Sequence, residues 1–371
     1  MTNILQKTNI FLDHNATSPL RPQSLESIQN ALSAPLNASS VHNYGRAGRR
    51  IVESARENIA TLVGIPAPQI IFNSGATEGN NTVLKHFAED KILVSAIEHP
   101  AVLEAAPNAI KIPVTPDGII DLNALEDLLK SEKPALTSIM AVNNETGVIQ
   151  PIKEASDLVH RHGSLLHCDA VQAAGRININ MQTLGIDFLT LSAHKIGGPQ
   201  GVGALALGLC GITPTLLHGG GQEKSARAGT ENVAGIAGFG AAVEAALEAL
   251  PTYTDKMRPL QDKLETALKT TDGLIIHGEN APRSPNTTLF SLPGVGSETM
   301  LMALDLDGIA ISNGSACSSG RVEASHVLKA MGQNNEIAAA TLRVSTGWNT
   351  LASDIDTFIA SFEKIAARLK N

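Results

Sequence analysis

Residues 187–207 read Asp-Phe-Leu-Thr-Leu-Ser-Ala-His-Lys-Ile-Gly-Gly-Pro-Gln-Gly-Val-Gly-Ala-Leu-Ala-Leu, with Lys195 held between two short apolar runs. The runs 187–192 and Gly203–Leu207 are too short for stable helices and are bounded by glycine and proline, so they read as buried strands. Working outward, 164–169, 137–142, 109–113, 91–95 and Ile70–Asn73 have the same character, several followed by helix-period segments. That alternation predicts an α/β fold built on a mainly parallel seven-stranded sheet. In such sheets ligands collect at the carboxyl ends of the strands, so the polar residues just beyond each strand are the candidates for chemistry.

Beyond the sheet, 232–250 is rich in small apolar residues but carries Glu244 and Glu248, and reads as a packed amphipathic helix rather than a membrane span. A second helical stretch, from about 254 to 269, follows Pro251 and leaves the large unit. A strand at 286–291, a loop around Gly314 and closing helices predict a smaller α+β C-terminal domain. The expected division is a large domain of 16–255 and a small domain formed by 1–15 and 256–371.

The 371 residues are 43% hydrophobic and 17% charged, enough for one large core or two moderate ones. A net charge of −8 and an aromatic share of 3% argue against nucleic acid as a partner. The first twenty residues hold no apolar signal core, and 196–222 is too broken by glycine and proline to span a bilayer, so no membrane role is expected. Three cysteines, Cys168, Cys210 and Cys317, include no C-x-x-C pair. They build neither a disulfide framework nor a metal site within one chain, and a reducing cytoplasm is the expected setting.

Three strand ends stand out. A lysine at the end of a buried strand, hemmed by glycines, can lose its proton and act as a Schiff-base nucleophile, although a solvated loop lysine fits Lys195 equally well. Asp169 follows an apolar strand and would need a positive partner such as a pyridinium nitrogen, unless it caps the next helix. In 71–79, a small-residue turn leads into a helix whose free N–H groups form a phosphate cradle or an ordinary helix start. No Walker A or G-x-G-x-x-G pattern accompanies it. Cradle, acid and lysine together specify pyridoxal phosphate better than any nucleotide.

The sequence resembles the cysteine desulfurases, the NifS/IscS-like branch of the class V aminotransferases with the type I fold of pyridoxal-phosphate enzymes. The likeness runs nearly end to end. It includes DHNAT at 13–17, NASSVH at 37–42, SGATE at 74–78, EHPAV at 98–102, VNNETG at 142–147, CDAVQ at 168–172 and SAHKIGGPQGVG at 192–203. HGGGQE at 218–223, RAGTENV at 227–233 and SNGSACSSG at 312–320 complete it.

The resemblance implies a role for each matching residue. Lys195 would carry pyridoxal phosphate and shuttle the substrate's Cα proton, while Asp169 would keep the pyridine nitrogen protonated. His99 would stack on the ring and exchange a proton with the substrate thiol. Asn144 and Gln172 would set the ring oxygen and the substrate carboxylate. Ala76, Thr77, Ser192 and His194 would hold the phosphate, joined by Thr230 from the second subunit of a homodimer. Arg343, between apolar neighbours, would clamp the substrate carboxylate. Cys317, in a run of small residues expected to form a mobile loop, would take the sulfur of L-cysteine as a persulfide, leaving L-alanine. It would pass that sulfur to an acceptor protein such as an iron–sulfur scaffold, serving at most as a transient cluster ligand. Cys210, near Leu209 and Ile212, reads as a core cysteine.

Three features depart from the family pattern. Trp348 stands where relatives usually carry arginine, which alters the expected packing near the Arg343 strand. The stretches 86–91 and 105–111 are short, and a single helical stretch, 355–370, closes the chain, so scaffold docking is less firmly implied than the chemistry. Three rival readings remain: a selenocysteine lyase or related β-elimination enzyme, a non-catalytic partner protein, and a nicotinamide-dependent oxidoreductase. The first lacks its R-x-G-x-x-C-type loop here, the second would not need Lys195 and Cys317, and the third has no dinucleotide fingerprint.

Overall fold

The computed structural model describes residues 10–314 and 325–369. Seven strands form the main sheet: β1 (Ile70–Asn73), β2 (Ile92–Ser95), β3 (Ile110–Ile112), β4 (Leu136–Ser138), β5 (Leu165–Asp169), β6 (Phe188–Ser192) and β7 (Gly203–Leu207). Their spatial order is β1-β7-β6-β5-β4-β2-β3. The pairs β2/β3, β2/β4, β4/β5 and β5/β6 are parallel, while β7 runs antiparallel to both β6 and β1. Two successive reversals leave β1 pointing the same way as β6. The carboxyl ends of β1, β2, β4, β5 and β6 therefore share one edge of the sheet.

Apart from the edge strand β3, where Lys111 is exposed, these strands are buried and mostly apolar, as a helix-covered parallel sheet requires. The exceptions are buried polar groups with partners. His167 on β5 is bonded at Nδ1 to Ser138 Oγ (2.8 Å) and at Nε2 to Thr190 Oγ1 (3.1 Å). Burial holds that imidazole at a pKa of about 4, so it is neutral.

Helices α1 (Pro22–Leu32), α2 (Asn43–Val63), α3 (Ala76–His86) and α4 (Val233–Leu268) frame this layer. The expected break in α4 does not occur: 232–250 and 254–269 form one 36-residue helix with Pro251 and Pro259 inside it. Both prolines are exposed, and each removes one N–H from the helix ladder. Buried residues line the helix on either side of its middle, with none between Ala246 and Tyr253. Ile236, Phe239 and Val243 enter the core of the main sheet, and Met257, Leu264 and Leu268 enter a second core. Packing at both ends outweighs the two lost hydrogen bonds. By length and composition α4 alone, among the described residues, is apolar enough to cross a membrane, and more than half of its most apolar stretch is buried inside the fold.

The second core gathers around a three-stranded antiparallel sheet in which β8 (Thr287–Ser291) lies between Ile275–Ile276 and β9 (Thr341–Ser345). Helix α5 (Ala352–Leu369) closes it with Phe358 and Phe362. The N-terminal segment enters the same region, where Ile10–Phe11 pairs with Ile309–Ala310 and Asp13 bridges to Ser345. Trp348 is accommodated beside it: its Nε1 donates to the Pro19 carbonyl at 3.1 Å, and the Arg21 guanidinium sits 5.4 Å from its ring centre.

Candidate active site

The carboxyl ends of the strands open onto a cavity of about 760 Å³, a size suited to a small molecule. Lys195 reaches it from the single turn that follows β6. Its Nζ donates to the carbonyl oxygens of Asn15 and Ala16, both at 2.6 Å. Burial, reinforced by the Arg343 and Arg176 guanidiniums, pulls the amine from 10.5 down to about 7. Much of it is therefore the free, nucleophilic base at neutral pH.

Asp169 closes β5 and is 6% exposed. Its Oδ1 accepts the Val171 N–H at 3.0 Å, the local turn bond, while Oδ2 accepts from Asn80 Nδ2 at 2.7 Å. The carboxylate is thus fixed in orientation at the cavity wall. Helix α3 starts at Ala76 with Gly75 as its N-cap, and no side chain caps it. Gly75 has φ of 146°, and nothing lies within 4 Å of where a Cβ would stand. Open space therefore faces the N-terminus at Ala76 and Thr77, where the first backbone N–H groups of a helix lack internal partners. Gly203 on β7 makes this turn possible, because a Cβ there would come within 2.7 Å of Gly75 Cα.

His99 follows β2 as the N-cap of a short turn, and its Nδ1 accepts the Ala101 N–H at 3.1 Å. The neutral ring must then carry its proton on Nε2. Burial lowers its pKa, against the pull of Asp169 and with the help of Lys195 and His326. His194 bonds Thr17 Oγ1 through Nδ1 at 3.2 Å, and burial holds it at about 4. Arg343 comes from β9, where Leu342 and Val344 face the second core and the alternation turns Arg343 the other way. Its Nη2 lies 2.6 Å from Asp13 Oδ1, Nη1 donates to the Asn144 carbonyl at 2.9 Å, and Nε is buried with no partner.

Lys195, Asp169, His99, Asn144, Gln172, Ala76, Thr77, Ser192, His194 and Arg343 all line this one cavity. Thr230 does not: it is exposed and borders a smaller, adjoining hollow with Arg227 and Glu231, which shares Ser74 and Gly201 with the cavity. Cys317 lies outside the described residues. Gly314, three positions before it in the chain, lines the cavity, and Ser325 donates to the buried Glu145 Oε2 at 2.5 Å. Cys168 is fully buried beneath the sheet edge, and burial pushes its thiol well above the usual range. Cys210 is not a core residue as expected: it is half-buried at the margin of an apolar cluster, beside a Leu209 that is 79% exposed. Among the described residues no His, Cys, Asp and Glu cluster could hold a metal ion.

The donor set fits pyridoxal phosphate: an amine titrating near neutrality, a fixed buried carboxylate, an uncapped helix N-terminus over open space, and an unpartnered guanidinium N–H. Sequence reasoning did not identify three residues that hold this set in place. Asp13 and Asn15 sit in a quoted motif but had no assigned role, and Arg176 follows Gln172 by four positions within the apolar run Ala173-Ala174-Gly175. A lone arginine in such a run was the available signal.

Comparison with known proteins agrees with the geometry. The aminotransferase class-V family model matches residues 10–358. A cysteine desulfurase IscS of Dictyoglomus turgidum is 38% identical over 98% of this chain and 96% of its own length. A cysteine desulfurase of Enterobacter agglomerans is 40% identical over 98% of this chain and 94% of its own. The crystal structure of a NifS-like protein from Rickettsia africae superposes with a TM-score of 0.91 at 39% identity, covering 97% of this chain and 99% of that one.

Proposed function

The chain belongs to the class-V aminotransferase family, and from that premise we propose that it is a cysteine desulfurase, a pyridoxal-phosphate enzyme that takes sulfur from L-cysteine and leaves L-alanine. The observation that carries the reading is the single cavity in which the Lys195 amine, the Asp169 carboxylate, the α3 N-terminus and the Arg343 guanidinium meet.

Each group has a task its surroundings suit. Lys195 would hold the cofactor through its amine and would take the proton from the substrate's Cα. Asp169, held by Asn80, would keep a proton on the cofactor's pyridine nitrogen. Ala76 and Thr77 at the helix start, with Ser192 and His194, hold the phosphate. Arg343 grips the substrate carboxylate with its planar fork, supported by Asn144, while Gln172 sets the ring oxygen. His99, whose Nδ1 is committed to the backbone, exchanges a proton with the substrate at Nε2. When bound, pyridoxal phosphate supplies an electron sink for the pair released at the substrate's α-carbon.

The Cys317 thiolate attacks the substrate Sγ. An S–S bond forms, the C–S bond breaks with its electron pair staying on the substrate, and the β-carbon gains a proton to give alanine. The thiol's own proton balances that gain. The enzyme is left as a persulfide, which an acceptor thiol then receives.

The acceptor is an iron–sulfur scaffold or another sulfur-carrying protein, and a reducing compartment such as the cytoplasm keeps Cys317 in its thiol form. The protein works as a homodimer in which Thr230 joins the phosphate site of the partner subunit. The exposure of Thr230 outside the lining of its own chain's cavity supports this.

The test is alanine formation from L-cysteine and from L-selenocysteine, with and without pyridoxal phosphate. Alanine that depends on the cofactor and does not require selenium supports the reading. Release confined to selenocysteine sinks it in favour of a lyase.

A further inference from the structure

Arg176 is 5% exposed and, among the described residues, makes no ion pair with a carboxylate. Its hydrogen bonds go to neutral acceptors: Nη1 to Asn15 Oδ1 at 2.8 Å and to Gln172 Oε1, and Nη2 to the carbonyls of His14 at 3.2 Å and Lys195 at 3.4 Å. Burying a guanidinium without a counter-charge costs free energy that an apolar residue of similar size would not. The acceptors show what that cost accompanies, because every one belongs to the cavity wall or to the strap 14–16, whose Asn15 and Ala16 carbonyls accept Lys195 Nζ.

Gln172 Oε1 is taken by Arg176, and Nε2 donates one proton to the Asn15 carbonyl at 3.0 Å. A flipped amide would set its NH₂ against the guanidinium, so the orientation is fixed and one N–H remains for the cavity that Gln172 lines. The same Asn15 carbonyl receives Lys195 Nζ, and Asn15 Oδ1 is shared by Arg176 and Asn286 Nδ2. The charged and titratable groups around Lys195 are Asp13, Asp169, His99, His194, Arg343 and Arg176. Around Arg176 stand Arg21, His14, Tyr253 and Arg343, with His14 kept neutral by burial and the flanking guanidiniums.

We propose that Arg176 is a positioning residue of this site: its fork locks Gln172 and the Asn15 strap beneath Lys195, and its unmatched charge disfavours a second positive charge on the Lys195 amine. Lysine would keep the charge but not the fork, and methionine would keep neither.

This rests on the reading of Lys195 as the cofactor's attachment point, and the experiment separates the two. Full-length protein is stripped of pyridoxal phosphate, the pH dependence of Lys195 acetylation by trace acetic anhydride is read by mass spectrometry, and pyridoxal phosphate affinity is measured by absorbance titration. The parent, Arg176→Lys and Arg176→Met are compared. The parent midpoint is expected near 7. Arg176→Lys should keep that midpoint while binding the cofactor roughly tenfold more weakly, the loss expected for one mispositioned hydrogen-bonding group. Arg176→Met should raise the midpoint toward the ordinary lysine value. A folded Arg176→Met with the parental midpoint overturns the proposal. So does an Arg176→Lys with parental affinity, and that variant decides alone if Arg176→Met does not fold. A parent that fails to take up pyridoxal phosphate counts against the functional reading instead.

Discussion

Arg343 is tied to Asp13 across 330 residues of chain, with Nη2 and Oδ1 2.6 Å apart, and its Nε is left buried and unpartnered. The guanidinium is therefore held in one orientation with donor capacity in reserve, as the proposed carboxylate clamp requires. Arg343→Lys keeps the charge and loses the fork. Steady-state kinetics with L-cysteine should show kcat/KM down by about 100-fold, mostly through KM, the scale of a lost charge-assisted pair.

Lys195 titrates near 7 because burial and two guanidiniums disfavour its charge. The rate at which cofactor-free protein takes up pyridoxal phosphate should thus rise with pH through a midpoint close to 7, where the amine loses its proton. A midpoint at the ordinary lysine value of 10.5 would mean that the amine is solvated. Lys195→Ala should abolish borohydride-stable attachment of the cofactor and lower the turnover rate by at least ~10³-fold.

His167 is neutral in the fold, with its pKa lowered from 6.5 to about 4 by burial. Below pH 6.5 the unfolded chain binds a proton that the folded chain refuses, so stability is full above 6.5 and is lost as pH falls toward 4. The loss from this group approaches ~3 kcal/mol. Denaturant unfolding across that window should show stability falling with acid, and His167→Gln should make the slope shallower, the rest coming from His14, His194 and His277.

The main sheet was legible because each strand is a short apolar run ended by glycine, proline or a polar residue. The bounds of Ile70–Asn73 and Gly203–Leu207 match the observed strands. Lys195 and Asp169 were legible for the same reason, since they stand where strands stop. The continuity of α4 was not, because Pro251 and Pro259 are local breakers whose cost is overridden by burial at both ends of the helix. Nor were the Asp13–Arg343 pair or the neutral cage of Arg176, which joins residues 14, 15, 172 and 195. No local pattern encodes contacts that the sheet topology creates. Cys210 shows the converse error: apolar neighbours in sequence did not bury it, because Leu209 beside it turns outward.

The central claim is that sulfur leaves L-cysteine for Cys317. Its most direct test is intact-protein and peptide mass spectrometry of pyridoxal-phosphate-loaded protein after brief exposure to L-cysteine without added thiol. One additional sulfur atom is expected on the peptide containing Cys317, removable by dithiothreitol. In Cys317→Ser the addition and the alanine produced should both vanish while cofactor binding persists. Undiminished alanine release by Cys317→Ser, or added sulfur found only on Cys168 or Cys210, would contradict it.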